Sequence, residues 1–184
     1  MLFRSVNAKP DLIGFSCYMW NVNVFGEIAQ TLRKRIPKVK IMWGGSEMSS
    51  DYLAQGKFDK LEMDFCVSGE GEVTFQEFLR NQAFGVPDLS NIPGLAYRQS
   101  TSEPFKINPK REALEILHDV PSPFLTGVVD DEVLLRPKVE ANIETQRGCN
   151  LRCSYCTYHK DMDKITYSSL ERVVSEVVYL VNKG

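Results

Sequence analysis

The chain has 184 residues, of which 43% are hydrophobic, 25% charged and 10% aromatic. This composition is typical of a globular protein and excludes a disordered, collagenous or low-complexity chain. Lys and Arg number 22 against 24 Asp and Glu, which leaves no basic field to hold a nucleic acid backbone. No apolar run approaches the roughly 20 residues that span a bilayer, and the first residues do not read as a secretion signal. We therefore expect a cytoplasmic protein with neither nucleic acid nor a membrane as partner.

The five cysteines divide into one tight cluster and two isolated residues. Cys149, Cys153 and Cys156 fall within eight residues, whereas Cys17 and Cys66 stand alone in apolar runs. An odd count with one cluster argues against a secreted disulfide framework and for a metal or redox site in a reduced compartment. Because a free cysteine packs as a small hydrophobe, we predict that the two isolated thiols lie in a core.

Three short apolar runs predict strands in the first part of the chain, and helical patterns follow them. The strands are predicted at residues 12–17, 39–43 and 65–67. Near-continuous apolar strands that alternate with amphipathic helices predict an α/β fold with a parallel sheet covered on both faces.

The helix between the first two predicted strands has a clear apolar repeat. Its apolar positions are Phe25, Ile28, Ala29, Leu32 and Ile36. Asn23 is placed to cap the start of this helix, and Pro37 is placed to stop its end.

The loops that leave the carboxyl ends of the strands form the ligand crevice in an open parallel sheet. The candidate cofactor-binding residues in these loops are Ser16, Cys17, Tyr18, Trp20, Gly44, Gly45, Ser46, Glu47, Gly69, Glu70, Gly71 and Glu72. The glycines let a ligand approach the backbone, and a helix amino terminus behind them favours partial negative charge. Any single one of these loops is also explained by ordinary turn chemistry.

Residues 83–138 differ in composition from the rest of the chain, since seven of the nine prolines lie there. We predict an interdomain linker with a small β element, in which residues 94–98 pair with 105–107. The predicted domains are therefore 1–82, 83–138 and 139–184.

The last predicted domain begins with a strand at residues 139–145, which leads into the cysteine loop and a helix. The apolar stripe of this helix is Leu170, Val173, Val174, Val177, Val178 and Val181. Ser168 and Glu171 have the form of a capping box at its start, and Gly184 stands where a C-terminal glycine is usual.

The clustered cysteines have the spacing C-x3-C-x2-C on one loop after a predicted strand. Three thiolates can hold a cubane iron–sulfur cluster and leave one iron open to a substrate or cofactor. Cys149, Cys153 and Cys156 are therefore the candidate metal ligands and catalytic residues. Gly148 lets the backbone turn into the loop without steric cost.

Three other interpretations of this loop stay open. A zinc site would use the three cysteines with His159, all drawn from one eleven-residue segment. A redox pair would use Cys153 and Cys156 and leave Cys149 unexplained. The third interpretation is three merely structural cysteines.

This segment resembles the opening of the barrel in radical S-adenosylmethionine (SAM) enzymes. The features that carry the resemblance are the strand, Arg147, Gly148, the cysteine spacing, Tyr155 before the last cysteine and the following helix. The resemblance implies that the three cysteines bind a [4Fe-4S] cluster whose open iron chelates SAM. It implies reductive cleavage of SAM to a 5′-deoxyadenosyl radical, with an electron donor such as a flavodoxin or ferredoxin. Tyr155 would lie near the adenine.

The earlier loops resemble those of the cobalamin-binding domain. By that resemblance, the loops at residues 16–18 and 44–45 line the channel for the nucleotide tail of cobalamin. Residues 69–72 are similar to the Gly-Glu-Gly-Glu turn of cobalamin-dependent radical enzymes. The fold implied is a Rossmann-like, flavodoxin-like sheet, followed by a linker and the first β-loop-α unit of a (β/α) barrel.

The function implied is methyl transfer to an unactivated carbon of a small-molecule or peptide substrate. A radical cyclase or rearrangement enzyme of the same family is the first alternative. The second is a non-radical corrinoid or nucleotide-binding module with a zinc-clipped tail.

The resemblance also leads us to expect that the chain is part of a larger enzyme and inactive alone. The Asp-x-His-x-x-Gly loop of the family has no counterpart before Ser16. Only 28 residues follow Cys156, whereas a full barrel needs on the order of 200. Neither His118 nor His159 is placed to act as an axial ligand of cobalt.

Overall fold

The structure is a computed structural model that describes residues 7–83, 85, 88–114, 117–151, 153–156 and 164–183. Residue contacts divide the chain into two units. The first comprises Met1–Glu112 and Cys153–Asp161, and the second comprises Ala113–Arg152 and Met162–Gly184. Two residues of the sequence predictions, His159 and Gly184, lie outside the described residues.

The first unit is built on a five-stranded sheet with the strand order β1-β2-β3-β4-β5. The strands are Leu12–Ser16 (β1), Lys40–Gly44 (β2), Phe65–Val67 (β3), Leu95–Tyr97 (β4) and Lys106–Ile107 (β5). The first three run parallel, and β4 and β5 are added antiparallel. The predicted parallel α/β sheet is confirmed. The predicted hairpin is also present, and it extends the main sheet.

The described residues of this unit include the helices Val22–Arg35 (α1), Ser50–Ala54 (α2) and Gly71–Ala83 (α3). The helix predicted between the first two strands is confirmed as α1, but Asn23 does not cap it. The N-cap position belongs to Asn21. The helix begins early because Tyr18 C=O accepts from the N–H groups of Asn21 and Val22, at 3.0 and 3.2 Å. Asn23 therefore lies inside the first turn.

Alternate strand residues enter two hydrophobic clusters, one on each face of the sheet. Ile13, Phe15, Ile41 and Trp43 belong to the cluster that also contains Ala29 of α1. The opposite cluster contains Leu12, Met42, Phe65 and Val67 of the strands together with Phe78 of α3. Cys17 and Cys66 are both 0% exposed, which confirms the prediction of two core thiols.

The amino ends of the parallel strands are held by a buried carboxylate. Asp64, only 6% exposed, precedes β3 and accepts a hydrogen bond from Ile41 N–H at 2.8 Å. Arg33 of α1 forms an ion pair with the same carboxylate at 2.5 Å, and Lys40 approaches it at 3.4 Å. One side chain therefore joins β2, β3 and α1.

A buried arginine fixes the segment before β3 at the same edge of the sheet. Arg98, which follows β4, is 4% exposed. Its guanidinium donates to Leu61 C=O at 2.6 Å and to Met63 C=O at 2.9 Å. It also lies 4.3 Å from the ring centroid of Phe105. Burial lowers the pKa of Arg98, and the charge of the nearby Asp59 acts in the opposite direction.

In the second unit, the described residues form a two-stranded antiparallel ladder and two helices. The elements are Gln146–Arg147 (β6), Thr166–Tyr167 (β7), Asp131–Leu134 (α4) and Leu170–Lys183 (α5), with a short 3-10 turn at Leu117–Asp119. The strand predicted at 139–145 is wrong, because these residues have no ladder partner and most are exposed. Among the described residues, every helix is too short or too polar to cross a membrane.

Helix α5 follows the predicted apolar repeat, but the details of its prediction need correction. Most of the stripe is exposed: Leu170 79%, Val174 50%, Val177 43%, Val178 52% and Val181 71%. The predicted capping box is wrong, because the Ser168 hydroxyl donates to Glu144 C=O at 3.0 Å. Ser169 instead accepts from Arg172 N–H at 3.2 Å. The buried polar residue of this helix is Glu176, which is paired with Arg172 at 3.1 Å.

The domain bounds 1–82, 83–138 and 139–184 stay a prediction. Within the predicted linker, β4 and β5 are strands of the main sheet. The long segment of the first unit accordingly runs to Glu112.

We expect Asp64→Ala to lower the free energy of unfolding by about 2 to 3 kcal/mol, because Arg33 and Ile41 N–H both lose a charged partner. Urea unfolding followed by circular dichroism measures this. The matched control is Lys40→Ala, whose side chain is 50% exposed and whose loss should cost less than about 1 kcal/mol. Equal effects of the two substitutions on the free energy of unfolding would contradict the role of Asp64 in joining β2, β3 and α1.

Candidate functional site

A cleft of about 540 Å³ opens at the carboxyl ends of the three parallel strands. Its walls come from these strand ends, the loops that follow β2 and β3, and the first turns of α3. The lining residues are Gly14, Phe15, Ser16, Met42, Trp43, Gly44, Gly45, Val67, Gly69, Gly71, Glu72 and Phe75. This is the edge of the sheet at which ligands bind in open α/β folds.

The floor of the cleft consists of strand positions with little or no side chain. Gly14 and Ser16 of β1 alternate with Phe15, whose side chain packs in the cluster on the other face. Ser16 lies opposite Gly44 of β2 in the strand register. A Cβ atom added at Gly14 would meet nothing within 4 Å. The cleft therefore exists because β1 and β2 leave this part of the sheet uncovered.

The wall of the cleft is the amino-terminal part of α3. Phe75 is 41% exposed there, so an apolar ring borders the glycine floor. The helix is fastened by Thr74, which is 0% exposed and donates to Pro93 C=O at 2.8 Å. Arg111 donates to the same hydroxyl at 2.8 Å. The position of the wall thus depends on buried contacts behind it.

The loops after β1 and β2 are locked together through backbone atoms. Cys17 N–H donates to Gly44 C=O at 2.6 Å, and Cys17 C=O accepts from Glu47 N–H at 3.3 Å. Gly45 has φ +104°, and a Cβ atom there would lie 2.5 Å from Cys17 O and 2.7 Å from Cys17 N. Only glycine permits this approach.

The side chain of Cys17 belongs to the core behind the loops. Burial raises the pKa of its thiol to about 11, and the charge of Glu47 adds to the rise while Lys57 opposes it. The Glu47 carboxylate pairs with Lys57 at 2.8 Å, and the Lys57 ammonium lies 3.7 Å from the ring centroid of Tyr52. Cys17 therefore stays a neutral thiol near pH 7.

The loop after β1 also carries two stacked aromatic rings. The rings of Tyr18 and Trp20 lie 4.8 Å apart between centroids with an interplanar angle of 2°. Trp20 is 74% exposed and the intervening Met19 is 76% exposed. A flat aromatic surface therefore faces solvent in the loop that follows Ser16.

The structure brings together six of the twelve predicted loop residues as lining of the cleft: Ser16, Gly44, Gly45, Gly69, Gly71 and Glu72. Of the other six, three are buried, namely Cys17, Glu47 and Glu70. Tyr18, Trp20 and Ser46 lie in the same loops. The roles of these residues in cofactor binding stay predictions.

Sequence reasoning missed six lining residues, namely Gly14, Phe15, Met42, Trp43, Val67 and Phe75. A glycine inside an apolar strand is a recognised sign of close approach by a ligand or another backbone, so Gly14 could have been found. Phe75 follows the helical repeat of α3, and nothing in its spacing distinguishes it from a core residue.

The three clustered cysteines fall in both units of the chain. Cys149 belongs to the second unit, and Cys153 and Cys156 belong to the first. All three are free and partly exposed. Among the described residues, no three Cys, His, Asp or Glu side chains are grouped to hold a metal ion. Tyr155 is 89% exposed, and Gly148 has the positive φ, +98°, that the predicted turn requires.

Residues 3–79, which include the cleft, match the protein family described as the B12 binding domain. These residues form a B12 binding domain. The chain is 33% identical over 174 residues to the cobalamin-dependent radical SAM methyltransferase TokK of Streptomyces tokunonensis, covering 91% of this chain and 24% of that protein. It is 28% identical over 180 residues to 2-(S-pantetheinyl)-carbapenam-3-carboxylate methyltransferase of Streptantibioticus cattleyicolor, covering 91% and 25%.

Solved structures show the same fold. OxsB, a cobalamin-dependent SAM radical enzyme with aqua-cobalamin and SAM bound, superposes with a TM-score of 0.69 at 20% identity, over 100% of this chain and 25% of that one. The radical SAM methyltransferase TsrM of Kitasatospora setae gives 0.61 at 20% identity, over 100% and 37%. The chain spans about a quarter of the curated relatives. The resemblance to the cobalamin-dependent radical SAM family is confirmed.

The lining of the cleft suits an apolar group that packs against the backbone and carries a few polar atoms. The glycine floor admits a group against the backbone where a Cβ would otherwise stand. Apolar atoms from Val67 and Phe75 border it, and the Ser16 hydroxyl and Glu72 carboxylate offer hydrogen bonds. An apolar cleft with few polar groups is typical of a small-molecule site.

We expect the two adjacent glycines to differ sharply on substitution. Gly45→Ala should lower the free energy of unfolding by about 2 kcal/mol or more, because of its positive φ and the clash with Cys17. Gly44→Ala should change it by less than about 1 kcal/mol, because the nearest atom to its Cβ is Val67 O at 3.7 Å. Urea unfolding of both variants measures the difference, and equal stabilities would refute the loop contact.

Proposed function

We propose that the B12 binding domain holds cobalamin with its nucleotide tail in the cleft, and that the chain serves a cobalamin-dependent radical SAM methyltransferase. The observation that carries this proposal is the uncovered glycine floor at the carboxyl ends of the parallel strands. A tail laid along β1 and β2 would contact the backbone at Gly14 and Gly44. It would need no change in the core clusters on either face of the sheet.

Each part of the cleft has a task in this proposal. Phe75, Met42 and Val67 would exclude water from the apolar part of the tail, and the Ser16 hydroxyl would hydrogen-bond its polar groups. Glu72, at the start of α3, would accept hydrogen bonds from amide substituents of the corrin ring. Tyr18 and Trp20 would offer an aromatic surface in the adjacent loop.

Methyl transfer to an unactivated carbon is the reaction we propose for the whole enzyme. Two relatives named as methyltransferases align with 91% of this chain, which favours methyl transfer over radical cyclisation or rearrangement. When bound, cobalamin and a [4Fe-4S] cluster with SAM would supply methyl-transfer and radical chemistry. The substrate would be a small molecule or a peptide, and a flavodoxin or ferredoxin would donate electrons.

The cluster ligands in this proposal are Cys149, Cys153 and Cys156, with Tyr155 near the adenine of SAM. Cysteine thiolates hold iron–sulfur clusters, and three of them would leave one iron open to a further ligand. In the described residues these thiols are not grouped as a metal site. Their support is the spacing and the relatives named above.

Filling the floor of the cleft should weaken cobalamin binding without unfolding the chain. We expect Gly14→Phe to weaken hydroxocobalamin binding by about tenfold or more, because the ring would occupy the space of the tail. Titration followed by visible absorbance and calorimetry measures the dissociation constant. A side chain in a strand interior stabilises relative to glycine, so the variant should remain folded by circular dichroism.

The matched control for this substitution is Gly14→Ala, whose single methyl group meets nothing within 4 Å. It should bind cobalamin within about twofold of the unchanged chain. Unchanged binding by Gly14→Phe would move the cofactor out of this cleft. If the unchanged chain does not bind cobalamin, the proposed function of the chain is rejected.

Anaerobic reconstitution with iron and sulfide tests the cysteine loop separately. We expect an electron paramagnetic resonance signal on reduction that changes when SAM is added, because an open iron can take the cofactor. Cys149→Ala, Cys153→Ala and Cys156→Ala should each remove it, whereas Cys66→Ala, in the core, should retain it. Stoichiometric zinc without iron or sulfide would favour the zinc-clipped binding module instead.

A further inference from the structure

Asn21 occupies the N-cap position of α1 but does not cap the helix. Asparagine at this position usually accepts a hydrogen bond from a backbone N–H of the first turn. In this chain the Asn21 side chain makes no such bond, and its backbone lies at φ -121° and ψ -7°. The amide is turned away from α1, so its role lies in the preceding loop.

The Asn21 amide holds both ends of the loop that follows β1. Its Oδ1 accepts from Tyr18 N–H at 2.8 Å. Its Nδ2 donates to Ser16 C=O at 3.1 Å. Since Ser16 ends the strand and lines the cleft, one side chain links the cleft floor to the loop beyond it.

The backbone of the loop after β1 is held by other hydrogen bonds on the side that faces β2, and the Asn21 bonds hold it on the side that faces α1. Cys17, between the two residues that Asn21 holds, is bonded through its N–H to Gly44 and through its C=O to Glu47. Those bonds fasten the loop toward β2. On the side toward α1, the fastening of Ser16 C=O and Tyr18 N–H depends on Asn21.

The loop so fastened carries the stacked rings of Tyr18 and Trp20. The rings of this pair are parallel to within 2°. Because Trp20 is 74% exposed, packing against the rest of the chain contributes little to the position of its ring, and the loop backbone contributes more. The stack stands two residues beyond the cleft floor at Ser16. A change in the Asn21 bonds would therefore alter both the floor and the rings.

We propose that Asn21 is a positioning residue that presets the loop after β1 for its ligand, at the expense of capping α1. The inference rests on the proposed function, namely that cobalamin is the ligand of this cleft. Presetting lowers the ordering cost of binding. Asn21 acts through the loop backbone, and contact with the cofactor is left to Ser16 and the aromatic rings.

The test uses Asn21→Asp and Asn21→Ala in the full chain, with hydroxocobalamin as the probe. Aspartate keeps an oxygen for Tyr18 N–H and caps helices as well as asparagine does, but it has no donor for Ser16 C=O. We expect Asn21→Asp to retain its urea midpoint while its affinity falls about fivefold. Asn21→Ala, which loses both bonds, should fall about tenfold in affinity.

Trp20 supplies a second measurement that does not depend on the cofactor. The chain has two tryptophans, and Trp43 is 0% exposed. Fast local motion in the tryptophan fluorescence anisotropy therefore comes from Trp20. Without cobalamin, time-resolved anisotropy should show faster local motion of Trp20 in both Asn21 variants. A Trp20→Phe chain gives the Trp43 signal for subtraction. Asn23→Ala and Asn23→Asp, at an exposed position in the first turn of α1, are matched controls and should change neither affinity nor anisotropy.

The outcomes separate this inference from the function it rests on. If the unchanged chain binds cobalamin and Asn21→Asp binds equally well, the positioning role is wrong and the proposed function stands. If affinity falls only in proportion to lost stability, Asn21 is merely structural and the inference is overturned. If the unchanged chain does not bind cobalamin at all, the proposed function is wrong, and the inference that rests on it is overturned as well. Loss of affinity with retained stability and a mobile Trp20 supports the inference.

Discussion

The approach of Gly45 to the backbone of Cys17 is the constraint on which the candidate site depends. With a Cβ position 2.5 Å from Cys17 O, this contact excludes every side chain and joins the loops of two neighbouring strands. The bonds from Cys17 to Gly44 and Glu47 follow from that approach. Gly14 and Gly44, which have no side chains, then leave room for the cleft on one face of β1 and β2.

Stability and ligand recognition are separated along the strands. At the amino edge, Asp64 and Arg98 hold the chain through buried charged groups bonded to backbone atoms. At the carboxyl edge, small residues form the cleft floor, and backbone hydrogen bonds join the loops that follow β1 and β2. Loops on a rigid scaffold are the usual place for binding residues. The B12 binding domain follows this division.

The strands, the hairpin and half of the cleft lining could be predicted from sequence, because apolar runs and glycine pairs are local signals. The cap of α1 could not, since Asn21 and Asn23 have equal capping preference and a loop bond to Tyr18 C=O decided the start. The strand predicted at 139–145 failed because alternation alone supplies no ladder partner. For the cysteines, spacing indicates the ligand type but does not determine whether the thiols of Cys149, Cys153 and Cys156 are grouped.

The position of β1 at the end of the strand order has a consequence for dynamics. Its hydrogen-bonded neighbour in the described sheet is β2, yet β1 contributes Gly14 and Ser16 to the cleft floor. A terminal strand opens locally at lower free energy than a central one. Amide protons of β1 should therefore exchange with solvent faster than those of β2, and a ligand on the floor would slow that exchange. Occupancy of the cleft and local order of the sheet margin are thus thermodynamically linked.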